Sequence, residues 1–315
     1  MSELTVRQLC QLFELHAETY YRKPSGRPTR SANNIRDANR ELCWTPWPKR
    51  IPGEEPSPTT LADAPASEMT AKALYHVQQT MASSGRLCRR SVNDRVAWIK
   101  TMFRWAAHPE QEIVPEMVPA RLGLVTALRI GRSGALESPG TSAVLESDVR
   151  ATIRHSNERL SAMIAAHWGT GMRPGELCIM SKSAIDMSGD PWLYTPAEHK
   201  CEHFNKPRVI PVWRRAQEAL TPLMLKTKTD FLFEREGKPI LPGSYRNAIT
   251  RTNKRFGLKN WKPNQIRHSF ATRISEKYDR RTASILLGHS SERTTEIYDH
   301  ADFRKMIDRL RPELG

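Results

Sequence analysis

The stretch GTGMRPGEL, residues 169–177, decides how the C-terminal half of this chain folds. The preceding ERLSAMIAAHW has a helical pattern that stops at the glycines, and Pro174 favours the first position of a new helix. Arg173 is therefore expected at a helix N-terminus, where its guanidinium group and the helix dipole together favour an anion such as phosphate. The alternative is an ordinary arginine in a surface turn. Glu176 either orients Arg173 or simply belongs to the first helical turn.

A β-hairpin is predicted after this segment. PWLYTPAEHK and PRVIPVW are short β-type runs separated by CEHFNK. Lys200 lies where the first strand turns, whereas Lys206 and Arg208 begin the return strand. A solvated hairpin tip is the alternative for both lysines.

The segment NQIRHSF, residues 264–270, is predicted to lie in a helix that Pro263 opens. Arg267, Phe270 and Ile274 are spaced to share one face of that helix. A buried arginine needs an anion, because burying an unpaired charge is costly. His268 follows Arg267 directly.

A histidine and a tyrosine stand near the end of the chain, in LLGHSSERTTEIYDHAD, residues 286–302. His289 follows Gly288, and Tyr298 comes nine residues after His289. Either residue alone is more often a packing residue than a functional one. Together with Arg267 and His268, within 32 residues, they suggest a site.

Composition points to a soluble protein that binds a polyanion. The 315 residues carry a net charge of +15, and both halves of the chain are basic. The five cysteines are scattered without a CxxC pair, which argues against a disulfide framework and a zinc site and fits a reducing cytosolic setting. No signal peptide or membrane-spanning segment is expected, because the N-terminus is amphipathic and no apolar run is long enough.

The fold is predicted to be mainly α with a small antiparallel β-sheet, an α+β class. Residues 1–130 read as a helical domain, in which Ser91 is a plausible helix N-cap and the stretch 115–130 continues in mixed helical style. Residues 131–142, GRSGALESPGTS, lack apolar periodicity and are predicted to be a linker. Residues 143–315 form the second domain, which ends in an amphipathic tail helix.

The ordered set GMRPGEL, HK before a hairpin, NQIRHSF, LLGHSS and TTEIYDH resembles the tyrosine recombinase (phage integrase) family. The resemblance implies a helical SAM-like core-binding domain that binds DNA, over residues 1–130, followed by a catalytic domain over residues 143–315. It also implies site-specific DNA recombination by cutting and rejoining DNA without metal, cofactor or ATP.

The resemblance also implies a role for each motif residue. Tyr298 would be the nucleophile, Arg173 and Arg267 would bind the phosphate, and His289 would donate a further hydrogen bond to it. The general acid would be Lys200, with Lys206 as the alternative. One position departs from the family pattern, which has His where this chain has Asn264. Asn264 and the assisting candidates His268 and Glu176 complete the expected site.

The implied partners are double-stranded DNA at specific recombination sites and three further copies of the chain, in a homotetramer that exchanges C-terminal tails. The expected location is the cytoplasm, at the nucleoid, with no membrane partner. Two other functions remain open. One is a DNA-binding regulator or relic in which Asn264 marks lost activity, and the other is a type IB topoisomerase.

Overall fold

The computed structural model describes residues 4–22, 26, 28–47, 60–197, 208–288 and 300–314. The chain divides into two compact units, Met1–Pro139 and Gly140–Gly315, called here the N-terminal and C-terminal units. The described part is mainly helical with small antiparallel sheets, so the predicted fold class is confirmed. No helix among the described residues is long and apolar enough to cross a membrane.

The N-terminal unit is built from α-helices and short 3₁₀ turns. Its α-helices are α1 (Val6–Tyr20), α2 (Ser31–Trp44), α3 (Ala71–Ser83), α4 (Arg89–Ala106) and α5 (Met117–Gly123), with 3₁₀ turns at Leu61–Asp63 and Ala66–Glu68. A capping box between Thr5 and Gln8 begins α1, because each residue satisfies a backbone N–H that the helix leaves open. Apolar side chains from all five α-helices form one core.

The start of α4 differs from the prediction. Ser91 was expected as the N-cap, but the helix begins at Arg89 with Cys88 as its N-cap. The Arg89 N–H donates to the Leu136 carbonyl oxygen at 2.7 Å. This long-range pairing fixes the helix start earlier than the local sequence signal does.

The C-terminal unit places helices around a small sheet. Its helices are α6 (Glu146–Arg154), α7 (Glu158–Thr170), α8 (Pro174–Cys178), α9 (Arg214–Lys226), α10 (Pro242–Arg255), α11 (Pro263–Lys277), α12 (Arg280–Leu287) and α13 (His300–Leu314). Its strands are β1 (Ile185–Asp186), β2 (Trp192–Tyr194), β3 (Ile210–Val212), β4 (Glu234–Arg235) and β5 (Lys238–Pro239).

The predicted hairpin is the pair β2–β3. Trp192 lies opposite Val212 and Tyr194 lies opposite Ile210, in antiparallel register. Strand β1 pairs with the other edge of β2. A second antiparallel pair, β4–β5, was not predicted from the sequence.

The described residues of the C-terminal unit form two apolar clusters, and the second one holds α13. This cluster includes Trp213, Phe270 and Leu286 together with Ile307 and Leu310 of α13. The tail helix thus packs on its own unit in this structure, with the buried Ile307 and Leu310 facing α11 and α12.

Candidate active site

Arg173 lies at the junction of α7 and α8, where the sequence predicted a helix start. Gly171 ends α7 in the left-handed region, with φ of 61°, and its N–H donates to the His167 carbonyl oxygen at 2.9 Å. A side chain at Gly171 would collide with the Phe270 ring, since an added Cβ would lie 2.5 Å from it. Pro174 then begins α8, as predicted. The turn therefore requires glycine for its conformation and for its close contact with α11.

A buried histidine fixes the backbone directly before Arg173. His167 is fully buried, with Nε2 2.9 Å from the Met172 carbonyl oxygen and Nδ1 3.3 Å from the Tyr245 hydroxyl. Because the carbonyl can only accept, Nε2 carries the proton and Nδ1 accepts from Tyr245. Burial lowers the pKa of His167 to about 3, so the ring is neutral at physiological pH.

Glu176 holds the Arg173 side chain. Its carboxylate is 2% exposed and accepts from the Arg173 backbone N–H and from Arg173 Nη1, both at 2.7 Å. Burial raises the pKa of Glu176, but the Arg208 and Arg173 guanidinium groups and the backbone hydrogen bond outweigh this, so the pKa is lowered. The carboxylate therefore stays charged and orients Arg173 while it also caps the first turn of α8.

Arg208 joins this cluster, although the sequence had suggested only that it begins the return strand. It is 6% exposed, its Nε lies 3.6 Å from Glu176 Oε1, and its Nη1 donates to the Leu286 carbonyl oxygen at 2.9 Å. Its guanidinium group packs against Gly288, where an added Cβ would lie 2.8 Å from Nη1. Arg208 thus links the hairpin to the end of α12. The sequence signal that could have indicated a buried Arg208 is its position directly before the apolar run Ile210–Val212.

Arg267 enters the same site from α11. Its Nη1 donates to the Gly171 carbonyl oxygen at 3.0 Å and its Nη2 to the Leu287 carbonyl oxygen at 2.6 Å. Burial, together with the nearby Arg173 and Arg208, lowers the pKa of Arg267 to about 9. The group remains cationic at neutral pH, but its charge is destabilised by its neighbours.

The guanidinium groups of Arg173 and Arg267 converge at the C-terminal end of α12. Arg173 Nη2 donates to the Gly288 carbonyl oxygen at 3.0 Å, next to the Leu287 carbonyl that accepts from Arg267. Among the described residues, Arg173, Arg208 and Arg267 face one carboxylate, that of Glu176, so positive charge is in excess there. A site with these charges attracts an anion, and paired guanidinium groups suit the geometry of a phosphate.

The remaining motif residues fall into two groups. Asn264 and His268 are both exposed on α11, and their four-residue spacing puts them next to each other on the helix surface. Asn264 lies three residues before Arg267, and His268 follows it directly. Lys200, Lys206, His289 and Tyr298 lie outside the described residues. Gly288, which carries the Arg173 contact, is the last described residue before His289. Among the described residues, no group of three or more His, Cys, Asp or Glu side chains is placed to hold a metal ion.

Comparison with known proteins assigns the family. The sequence model described as the phage integrase family matches residues 143–305, slightly more than half of the chain. This chain belongs to the phage integrase family. The resemblance predicted from the motif residues is thereby confirmed.

Curated relatives of the chain include several tyrosine recombinases named XerC. That of Bacillus pumilus is 28% identical over 236 residues, which cover 70% of this chain and 73% of the relative. That of Bacillus licheniformis is 33% identical over 156 residues, or 45% of this chain and 49% of the relative. The chain spans about half the length of most of the curated relatives that it matches.

Solved structures show the same fold at low sequence identity. A lambda integrase dimer bound to a COC′ core site matches with a TM-score of 0.65 and 17% identity, covering 94% of this chain and 98% of that chain. A lambda integrase tetramer bound to a Holliday junction matches with a TM-score of 0.64 and 16% identity, covering 100% and 79%. The Tn1549 transposon integrase in complex with circular intermediate DNA matches with a TM-score of 0.65 and 16% identity, covering 96% and 98%.

The Glu176→Gln substitution tests the buried carboxylate. It keeps an acceptor for the Arg173 N–H but removes the negative charge that Glu176 supplies to Arg173 and Arg208, so we expect the free energy of unfolding to fall by about 3 kcal/mol. Urea denaturation at neutral pH measures this. The matched control is Glu218→Gln, which breaks the exposed pair with Arg214 and should cost less than about 1 kcal/mol.

The pH dependence of the free energy of unfolding provides a second test of the role of Glu176, with the same variant. Because the folded-state pKa of Glu176 is lowered, its stabilisation is present above the unfolded pKa of about 4.3 and is lost as pH falls through the folded value. The difference in stability between wild type and Glu176→Gln should therefore shrink on acidification. An equal loss in both glutamine variants, or a constant difference across pH, would contradict the assigned role of Glu176.

Proposed function

We propose that this protein is a site-specific DNA recombinase that cuts and rejoins DNA through a 3′-phosphotyrosine intermediate at Tyr298. The observation that carries the proposal is the convergence of Arg173 and Arg267 on the adjacent carbonyls of Leu287 and Gly288. Their motifs are widely separated in sequence, yet their guanidinium groups meet immediately before the segment that contains His289 and Tyr298. Membership of the phage integrase family supports the same reaction.

The two arginines supply the electrostatic part of the reaction. A guanidinium group has five N–H donors, more than Arg173 or Arg267 uses in its hydrogen bonds to described residues. Donors directed at the nonbridging oxygens of a DNA phosphate stabilise the negative charge that grows in the transition state. His289 adds a further hydrogen bond to the same phosphate in this proposal. No metal ion or ATP takes part.

The covalent step exchanges one phosphate ester for another. The Tyr298 oxygen forms a bond to phosphorus and gives up its proton to water, and the bond from phosphorus to the 5′ oxygen breaks. Lys200 gives a proton to the departing 5′ oxygen, with Lys206 as the alternative. A 5′ hydroxyl from a second strand then attacks the phosphotyrosine and restores a DNA linkage. Because the ester is conserved, rejoining needs no external energy.

The α11 positions beside Arg267 assist this site. Asn264 is exposed in the first turn of α11, where its amide can donate a hydrogen bond to a phosphate oxygen. An amide does not exchange protons near neutral pH, so Asn264 contributes binding and not acid–base chemistry. His268 is exposed on the next turn of α11.

The partners and domain roles belong to the same proposal. Residues 1–130 form a core-binding domain that contacts DNA, residues 131–142 link it to the catalytic domain, and residues 143–315 cut the strand. The active assembly is a homotetramer on two DNA sites, in the cytoplasm at the nucleoid. The lambda integrase tetramer on a Holliday junction supports this assembly. Tail exchange would require α13 to leave its own unit, where Ile307 and Leu310 are buried.

The Tyr298→Phe substitution tests the nucleophile. DNA fragments from the genome flanking the gene are nicked, incubated with the full chain, and separated in denaturing detergent to reveal covalent adducts. Wild type should form an adduct, and Tyr298→Phe should form none while it binds DNA with unchanged affinity in a gel-shift assay, because only the hydroxyl is removed. The matched control is Tyr75→Phe, whose exposed ring lies in the N-terminal unit and which should form the adduct normally.

The possible outcomes of this assay separate the candidate functions. An adduct in Tyr298→Phe would place the nucleophile elsewhere. Binding by wild type without any adduct would favour the regulator or relic. The topoisomerase would be favoured by a different combination of results. In that case the protein forms the adduct and relaxes supercoiled plasmid as single protomers, but does not join two duplexes.

A substrate with sulfur in place of the bridging 5′ oxygen decides between the two lysines. Sulfur leaves without a proton, so such a substrate should restore cleavage by the variant that lacks the general acid. We expect rescue of Lys200→Ala by at least tenfold, and no rescue of Arg173→Ala, which lacks phosphate binding. Rescue of Lys206→Ala instead would assign the general acid to Lys206.

A further inference from the structure

Two cysteines from different helices meet in the N-terminal unit. Cys10 on α1 and Cys43 on α2 are both buried, and their Sγ atoms share a hydrogen bond at 3.8 Å. The surrounding contact between α1 and α2 is polar as well as apolar, because the buried Asn39 side chain donates to the Cys10 carbonyl oxygen and to Glu14. The scattered cysteine positions in the sequence gave no sign of this pair.

We propose that Cys10 and Cys43 form a reversible redox site, which a hydroperoxide closes to a disulfide and a dithiol reductant opens again. The sulfur atoms of a disulfide lie about 2 Å apart, so closure brings the two atoms together by about 1.8 Å from 3.8 Å. Each side chain comes from a separate helix, and each sulfur needs to move by only about half of that distance.

The two cysteines border a cavity and do not lie only within apolar packing. A free cysteine commonly serves as a small apolar core residue. Here, however, both cysteines line a cavity of about 250 Å³ whose wall also carries Arg7, Arg36, Arg40 and the carboxylate of Glu14. Of these groups, Arg7 favours the thiolate form of Cys43, and a thiolate is the nucleophile in thiol oxidation.

The charge environment distinguishes the two sulfurs. The hydrogen bond with Cys10 and the nearby Arg7 lower the pKa of Cys43, whereas that hydrogen bond and burial raise the pKa of Cys10. Cys43 is 8% exposed and Cys10 is 4% exposed, so an incoming peroxide reaches Cys43 first, and Cys10 is the thiol that resolves the product. Thiol pairs of this kind, one activated and one adjacent, form disulfides in preference to higher oxidation states.

The chemistry balances in two steps. The Cys43 sulfur attacks a peroxide oxygen, the O–O bond breaks, and an alcohol or water leaves with a proton, which gives a sulfenic acid. The Cys10 sulfur then attacks the Cys43 sulfur, the S–O bond breaks, and water leaves with the Cys10 proton. Two thiols are oxidised to one disulfide while one hydroperoxide is reduced. A dithiol reductant supplies the two electrons for the reverse reaction.

Other cysteines of the chain serve as matched controls. Cys88 is half-buried in the same unit and its Sγ lies 3.2 Å from the Ser91 hydroxyl, which cannot form a disulfide. Cys178 is fully buried in the C-terminal unit. Cys88 thus shows how readily a half-buried thiol beside a hydroxyl is oxidised. Cys178 shows how readily a fully buried thiol is oxidised.

The test is a map of thiol oxidation in the full-length reduced chain. The protein is treated with hydrogen peroxide, alkylated after unfolding, and digested for mass spectrometry. We expect one linked pair, Cys10 with Cys43, that disappears on treatment with dithiothreitol. The linked form should melt several degrees higher than the reduced form, because the cross-link restricts the unfolded chain. Cys88→Ser should retain both results, and Cys43→Ser and Cys10→Ala should lose both.

Three outcomes would overturn the proposal. The first is full alkylation of Cys10 and Cys43 after peroxide has consumed Cys88. The second is a disulfide that joins other cysteines or two chains in place of this pair. The third is an equal rise in melting temperature in Cys43→Ser. The wild-type map decides the question even if one of the variants fails to fold.

Discussion

The buried carboxylate of Glu176 is the interaction on which the polar site of the C-terminal unit depends. It binds both the backbone and the guanidinium group of Arg173, and Arg208 lies within 3.6 Å of it. Without this single negative charge, Arg173, Arg208 and Arg267 would repel one another in a region largely removed from water. With it, the cluster is stable enough to form but keeps a surplus of positive charge among the described residues.

The same contacts explain how distant parts of the sequence come to act together. The end of α12 offers the carbonyls of Leu286, Leu287 and Gly288 in succession, and these accept from Arg208, Arg267 and Arg173 respectively. Main-chain carbonyls at a helix C-terminus carry partial negative charge and need donors. The arginines thus cap α12, and they do so from three other parts of the C-terminal unit. The backbone up to Gly288 is thereby held against the guanidinium groups of all three arginines.

Local sequence signals predicted much of this fold. The predictions that failed concern segments whose structure depends on contacts with distant parts of the chain. Pro174 and Pro263 begin their helices as expected, since proline acts through its own backbone. The stretch 115–130 was expected to continue as helix, but α5 ends at Gly123. Beyond it, the Leu128 N–H and carbonyl pair with the side chain of Asn93, which lies far away in sequence. Arg208 and the second hairpin escaped prediction for the same reason, because short patterns do not reveal partners from distant segments.

The most direct test of whether Arg173, Arg208 and Arg267 form one phosphate-binding site is the dependence of the melting temperature on phosphate concentration. Thermal unfolding of the full chain is followed with increasing inorganic phosphate at constant ionic strength, because a ligand that binds only the folded state raises the melting temperature. The account predicts a rise in wild type and in Arg251→Gln, whose arginine is exposed on α10, and the loss of that rise in Arg267→Gln. An equal rise in Arg267→Gln and wild type would contradict the claim that these arginines bind phosphate together.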